Sequence, residues 1–497
     1  MKLLLGGLAA YLIINVVQID QKLAHADWPQ FRGPNATGIS TTAIALPEKF
    51  SATENVKWSA EVGDGVGSVV VAHGRSFVSA MTGPETVSLY AFETKTGKLL
   101  WRRDWPTGKM QEVHKTNSQA SSTPAADESR CYFYFSTLGL RAVDAKTGTD
   151  VWHYSVPTPF FVFKWGPGMS PVLCRDMILF CQDDDLNPAF YAIDKVTGKL
   201  RWKDDRFDMA VNYSHPVICS ANGQEDIVVA GTGLLIGYDP QTGKRRWTAK
   251  TLLRNIKTTP VVENGVVYIS VQSGGIANQW LASVDQGTTG NRDGKIDKRE
   301  IQEFVGKTPI PDAFYRKTFD RGDEDKNGFL EGREMDIAFM HPDNFAGASF
   351  QSLGDKAAEQ FIVAVRGGGT GDVTNSHVLW KHPTKHTDHI VSPFVSGQRM
   401  LLIKEGGIST VFDTRTGNSL REPKRVGTGG SYFASPISAD GKIFLASDNG
   451  KVVVLKNSAS YEELANNDFG ESIISTPAIS ADGLLIRTRT KLFCVAK

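Results

Sequence analysis

The sequence predicts an all-β fold, an eight-bladed β-propeller of four-stranded antiparallel blades with a small α-helical insertion in the fifth blade. Three observations predict it. A Ser/Thr-Pro step followed by apolar residues recurs at Pro124, Pro171, Pro260, Pro393, Pro436 and Pro477, with His215-Pro216 as a variant and Val69 in the equivalent first position. A Thr-Gly turn leading to a tryptophan recurs as TGKLLW at 96–101, TGTDVW at 147–152, TGKLRW at 197–202 and TGKRRW at 242–247. The third lies at the ends: the last unit stops at LFCVAK after three strands, whereas Asn55-Val56-Lys57-Trp58 is a fourth strand without a unit.

Most spacings between successive steps fall between 41 and 55 residues, with one exception of 133 residues from Pro260 to Pro393. Within a unit the elements keep one order. Thr259-Pro260-Val261-Val262 opens as an apolar strand, Asn264-Gly265 forms a turn whose residues tolerate positive φ, and a second strand begins at Val266. Asp440-Gly441 and Asp482-Gly483 mark comparable turns. A third strand follows, as in Tyr191-Ala192-Ile193-Asp194, then the Thr-Gly turn, where glycine permits a left-handed backbone, then the fourth strand with its tryptophan. Four short strands at this period are the signature of a propeller blade, and counting first strands gives eight. Pairing the N-terminal strand with the last unit completes blade eight and leaves no open edge. Because tryptophan recurs at one place per unit, the rings are read as filling the gaps between blades rather than lining a cofactor channel. Blade six carries Arg421 at that place.

Residues 1–26 read as an export signal: Lys2, an apolar run from Leu3 to Val17, and Ala24-His25-Ala26 as a small-x-small cleavage site. The competing reading is a membrane anchor, but the run is shorter than the roughly 20 apolar residues of a spanning helix. Membrane contact is therefore expected only through this segment, if it stays uncleaved. Five cysteines form an odd, sparse set, which implies at least one free thiol rather than a disulfide framework. A turn at Arg175-Asp176 pairs Cys174 with Met177 and leaves Cys181 too far along the partner strand to bond it. Lys plus Arg number 55 against 54 Asp plus Glu, with no basic run, so nucleic acid is not expected as a partner.

The long spacing holds an insertion, residues 276–358, between strands two and three of blade five, at a rim where loops tolerate additions. It divides the propeller into residues 27–275 and 359–497. DEDKNGFLEGRE at 323–334 fits the EF-hand rule position by position. Asp323, Asp325 and Asn327 supply oxygens, Gly328 permits the sharp turn, Phe329 offers its carbonyl, Glu331 is the ninth position, and Glu334 supplies both carboxylate oxygens. Phe314 to Phe319 and Met335 to Met340 read as the flanking helix faces. A second loop aligned on Gly294 offers Asn291, Asp293, the Lys295 carbonyl, Asp297 and Glu300, with Thr289 in the first position. Asp285 substitutes for Thr289 only through a lengthened loop. Whether this loop binds calcium or only pairs with its neighbour, Ile296 against Leu330, stays open. The expected metal is Ca2+.

The Ser/Thr-Pro and TGK-x-x-W repeats, the stretch Asp27-Trp-Pro-Gln-Phe-Arg-Gly-Pro34, and GGTGDVT at 368–374 together resemble secreted bacterial proteins with quinoprotein-dehydrogenase-like (PQQ-like) eight-bladed propellers. The likeness covers nearly the whole chain after residue 26. It implies the fold more strongly than a function, because the same wheel serves as an alcohol dehydrogenase and as the scaffold subunit of the outer-membrane β-barrel assembly machinery. In the dehydrogenases an adjacent Cys-Cys disulfide lies against the cofactor, with a Glu/Asn/Asp set holding calcium. This chain has no adjacent cysteines and no assignable set of that kind, so no PQQ and no catalytic residues are expected.

His382, His386 and His389 form H-x3-H-x2-H, but Pro383 argues against a helix that would gather them, and a solvated loop is the reading. Segments leading into each first strand converge near a propeller's axis. Here they carry His114, Asn117, Ser118, Asn212, Tyr213, Lys257, His389 and Tyr432, the candidate lining of a central funnel. The expectation is a periplasmic or secreted calcium-binding scaffold for protein or polysaccharide partners; the alternative is a quinone-using oxidoreductase working in the funnel.

Overall fold

Eight four-stranded sheets follow one another along the chain, each antiparallel between consecutive strands. The structure, a computed structural model, describes residues 27–42, 44–161, 164–206, 208–209, 212–252, 256–273, 284–305, 319–338, 359–388 and 390–497. The export segment at 1–26 lies outside them. Among the described residues no helix is long and apolar enough to cross a membrane.

Blade three is representative: Val172–Cys174, Met177–Gln182, Ala189–Asp194 and Leu200–Asp205 run outward from the axis. Its second and third strands are buried along their whole length, whereas the fourth alternates exposed and buried residues. Inner strands are sandwiched between neighbouring blades, which is why they read as continuous apolar runs, and only the outer strand shows period two. Each fully buried Val, Leu, Ile or Phe contributes roughly 1.5–3 kcal/mol. Cys174 stands opposite Met177 and Cys181 opposite Phe190. All five thiols are free and buried, and burial pushes Cys174 up to about 11, away from the reactive thiolate.

The ring closes through the chain ends. Val56–Glu61 pairs with Lys491–Val495, Trp58 opposite Cys494 and Ser59 opposite Phe493, completing blade eight.

The Thr-Gly…Trp repeat has a physical cause at the blade junctions. Trp58 donates its indole N–H to the carbonyl of Thr94 in the next blade at 2.9 Å, and Trp101, Trp152, Trp202 and Trp380 do the same to Ala145, Lys195, Pro240 and Thr414. The Thr-Gly turn of that next blade then lies flat on the ring. A Cβ on Gly97 would sit 2.5 Å from Cδ2 of Trp58, so only glycine fits. The tryptophans do fill the gaps between blades.

Blade five breaks the pattern and blade four adapts. Its connection from Arg366 to Val378 carries GGTGDVT instead of a Thr-Gly turn, and Gly371–Asp372 adds a parallel fifth strand beside Trp247 and Thr248. Trp247 accordingly turns inward, almost fully buried, and donates to Asp226 at 2.8 Å. Between the blade-five strands Val266–Ser273 and Glu359–Arg366 lies the insertion. Its described part contains the helices Lys298–Val305 and Arg333–Ala338 and a two-residue antiparallel pair, Ile296 opposite Leu330. Of the flanking faces read from the sequence, 314–318 and 339–340 lie outside the described residues.

Candidate functional site

The Ser/Thr-Pro steps build the wall of an axial cavity. The hydroxyl of each step accepts the backbone N–H of the equivalent residue in the preceding blade. Ser68 N–H donates to Thr123 Oγ1 at 2.9 Å, Thr123 to Ser170 at 3.0 Å, Thr259 to Ser392 at 2.9 Å, Ser392 to Ser435 at 3.2 Å and Ser435 to Thr476 at 3.0 Å. Innermost strands have no further strand to pair with, so these hydroxyls satisfy donors that would otherwise be orphaned at the hub. His215 is the one ring member of different chemistry. Its N–H reaches Thr259 Oγ1 at 3.4 Å and its Nδ1 lies 3.1 Å from the same oxygen. Burial, and secondarily Arg32, lower its imidazole to about 4, so it is neutral near pH 7.

The floor of the cavity comes from the N-terminal stretch, which sequence reasoning used only as a marker of resemblance. Trp28 bridges to Val71, Pro29 O accepts Ala126 N–H, Gln30 Oε1 accepts Leu173 N–H, and Asn35 exchanges two hydrogen bonds with Ile218. Arg32 donates to Pro393 O at 2.8 Å, and Gly38 and Ser40 engage Ser438. This strap therefore covers the free inner edges of blades one, two, three, four, six and seven. Phe31 projects from it into the cavity and stacks on His215, centroids 4.5 Å apart.

The cavity has a volume of about 410 Å³. His114, Asn117, Tyr213, Lys257 and Tyr432, each in a segment before a first strand, line it. Asn212 does not: it is buried, its Oδ1 accepts Ile256 N–H and its Nδ2 donates to Met209 O, so it braces the loop that presents Tyr213. Ser118 is likewise committed, to Asp64 at 2.8 Å. His389 lies outside the described residues. His382 sits on the fourth strand of blade five and His386 in the following loop, so those two are not brought together on a helix.

Sequence reasoning missed Trp165, the most exposed aromatic at the mouth. It packs 4.6 Å from His114, and the Lys257 ammonium lies 5.4 Å from its ring centre. The available signal was a tryptophan outside the Thr-Gly…Trp pattern. Glu405 adds an exposed carboxylate to a mouth that already carries Lys257. The Tyr213 and Tyr432 hydroxyls are buried and make no hydrogen bond within the described protein. The arrangement is an apolar well with an aromatic, mixed-charge rim, suited to gripping a protruding group.

The acidic loop of the insertion forms the second candidate site. Asp323, Asp325 and Glu334 bring carboxylate oxygens within 4.8 Å of one another. Gly328 takes φ 86° and donates its N–H to Asp323 Oδ2, Asn327 N–H goes to Asp325, and Phe329 N–H to Asn327. Glu334 accepts from Glu324 and Glu331. Glu331 is also tied across to the first loop by Lys295 at 3.0 Å. Arg321, just before this loop, is buried enough to fall to about 10, while Asp185, Asp208 and Asp183 of the propeller pull it back up.

The family described as outer membrane protein assembly factor BamB matches residues 37–161 and 166–321. The chain belongs to that family. Two curated relatives match more narrowly. A polyvinylalcohol dehydrogenase of Pseudomonas sp is 26% identical over 162 residues, 30% of this chain and 24% of the relative. An outer membrane protein assembly factor BamB of Moranella endobia (strain PCIT) is 25% identical over 199 residues, 38% of this chain and 48% of the relative. The chain thus spans less than half the length of either. Among solved structures the computationally designed Ika8 protein aligns over 91% of this chain and all of its own, with a TM-score of 0.50 and 9% identity, a likeness of fold alone.

Proposed function

We propose that this chain is an exported, calcium-binding β-propeller that serves as a binding scaffold in the cell envelope. One observation carries the reading: an aromatic-rimmed cavity of about 410 Å³ at the hub, lined by the connections that enter the first strands. Connections between fourth and first strands line the cavity, and those between second and third strands, including the insertion, leave from the same ends of an antiparallel blade. Membership of the BamB family supports protein partners, of the kind engaged in outer-membrane assembly; polysaccharide remains the second class of ligand for the same rim. The test is affinity capture from envelope extracts with calcium and with a chelator, comparing wild type with Trp165→Ala. Selective capture that falls in the variant is expected; identical partners with wild type and variant would sink the proposal.

The proposed calcium site is the loop from Asp323 to Glu334, with Asp323, Asp325, Asn327, the Phe329 carbonyl, Glu331 and Glu334 as ligands. Hard oxygen donors gathered this closely suit a hard divalent cation. A ligand that binds the native state must raise its stability, so calcium is expected to raise the Tm. A titration with neither heat nor thermal stabilisation defeats this part.

A second reading, oxidoreduction with a quinone in the cavity, is favoured by the stretch shared with polyvinylalcohol dehydrogenase. Stoichiometric quinone binding together with dye reduction would decide for it.

A further inference from the structure

The two loops of the insertion share one hydrogen-bond plan, and the comparison singles out a residue. In the later loop Gly328 N–H donates to Asp323, Asn327 N–H to Asp325, Phe329 N–H to Asn327, and Glu331 N–H to Glu334. In the earlier loop Asp293 N–H donates to Asn291, Lys295 N–H to Asp293, and Asp297 N–H to Glu300. The remaining place, the partner of Gly294 N–H, is taken not by Thr289 but by Asp285 Oδ2 at 3.3 Å.

We infer that Asp285 is the first ligand of a second calcium site, in a loop lengthened from the 12 residues of Asp323–Glu334 to the 16 of Asp285–Glu300. This rests on the calcium reading of the later loop. The additional residues make a turn that returns tightly on Asp285: a Cβ on Gly290 would meet the Asp285 carbonyl oxygen at 1.8 Å, so glycine is required there. Arg292 N–H then closes the turn onto that carbonyl at 3.1 Å.

An independent observation points to a ligand. Asp285 is 1% exposed, and while Oδ2 receives Gly294, Oδ1 is buried with no hydrogen-bond partner. Glu300 is fully buried beside the same loop, its two oxygens receiving only Asn291 N–H and Asp297 N–H. Among the described residues no lysine or arginine pairs with either carboxylate; Lys295 is engaged with Glu331 and Arg299 with Glu303 and Asp297. Two buried carboxylates without a cation are costly, whereas a divalent ion bound at Asp285 accounts for the free oxygen. Asp285, Asn291, Asp293, the Lys295 carbonyl and Glu300 would supply the all-oxygen donor set, drawn closer together than in this structure, where Asp323, Asp325 and Glu334 alone among the described residues gather their carboxylates within 4.8 Å.

The experiment is calorimetric titration of the full chain with calcium, starting from Glu334→Gln to remove the later site. One ion per chain is expected to remain. Adding Asp285→Asn should weaken that remaining binding by about 100-fold or more, whereas adding Thr289→Ala should leave it unchanged. The inference is overturned if Asp285→Asn leaves the isotherm unchanged, if Thr289→Ala abolishes it, or if Glu334→Gln alone ends all binding. Should Glu334→Gln leave the stoichiometry of wild type, the later site falls, and the Asp285→Asn comparison still judges the earlier one. Asparagine is isosteric with aspartate, and far-UV circular dichroism confirms that each variant retains the propeller.

Discussion

Acidification should loosen the hub of the wheel through His215. The imidazole is buried, stacked on Phe31, and held near 4 against an ordinary value of 6.5. A base whose folded value is depressed stabilises the fold above its unfolded value, and that stability is lost as pH falls from 6.5 towards 4. The unfolded chain gains a proton that the folded chain refuses. At about 1.4 kcal/mol per pH unit, the full loss is about 3 kcal/mol, and about 2 kcal/mol of it has accrued by pH 5. The assay is urea denaturation at pH 7 and pH 5 for wild type and His215→Asn, which keeps a polar group near Thr259 but does not titrate. The variant carries a constant offset from its smaller side chain, so the difference in pH dependence is the readout. Equal loss of stability in both proteins would refute the argument.

Three further predictions follow from the same packing. Arg206 and Asp183 form a fully buried, bidentate pair at 2.7 and 2.8 Å, so Arg206→Met should cost about 3–5 kcal/mol by chemical denaturation, and the double change with Asp183→Asn less than the sum of the singles. Gly97→Ala, at φ 72° and against Trp58, should lower stability by about 1–3 kcal/mol, clearly more than Gly441→Ala, where φ is 68° but the space is open; equal melting temperatures would refute the clamp. Asn35→Ala removes both bonds to Ile218 and should cost about 1–3 kcal/mol, with faster amide exchange at Ile218 as the local check.

The fold was legible because its two repeated motifs mark contacts made afresh at each junction. A hydroxyl before proline reappears wherever a neighbouring inner strand needs an acceptor, and Thr-Gly reappears wherever a tryptophan needs a flat cover. The strap was not legible. Its contacts run from Val71 to Ser438 across six blades, made by one short stretch, so no period in the chain records them. Trp247 carries the usual motif, yet its orientation depends on the blade-five connection more than a hundred residues later. At the funnel, position before a first strand located Tyr213 and Lys257 but could not separate a lining side chain from the bracing Asn212. At the two acidic loops, counting twelve residues back from Glu300 lands on Thr289, whereas the Gly294 N–H bonds Asp285, a partner that a fixed twelve-residue spacing does not reach.

The strand from Val56 to Glu61 finds its partner only among Lys491–Val495, nearly the whole chain away. Pairings so distant in sequence form late, since the entropy of bringing the two segments together must be met first. Without that pairing blade eight would lack its outer strand, and the open margins of the wheel would be able to recruit foreign strands. A clipped carboxyl terminus would leave it permanently in that adhesive condition.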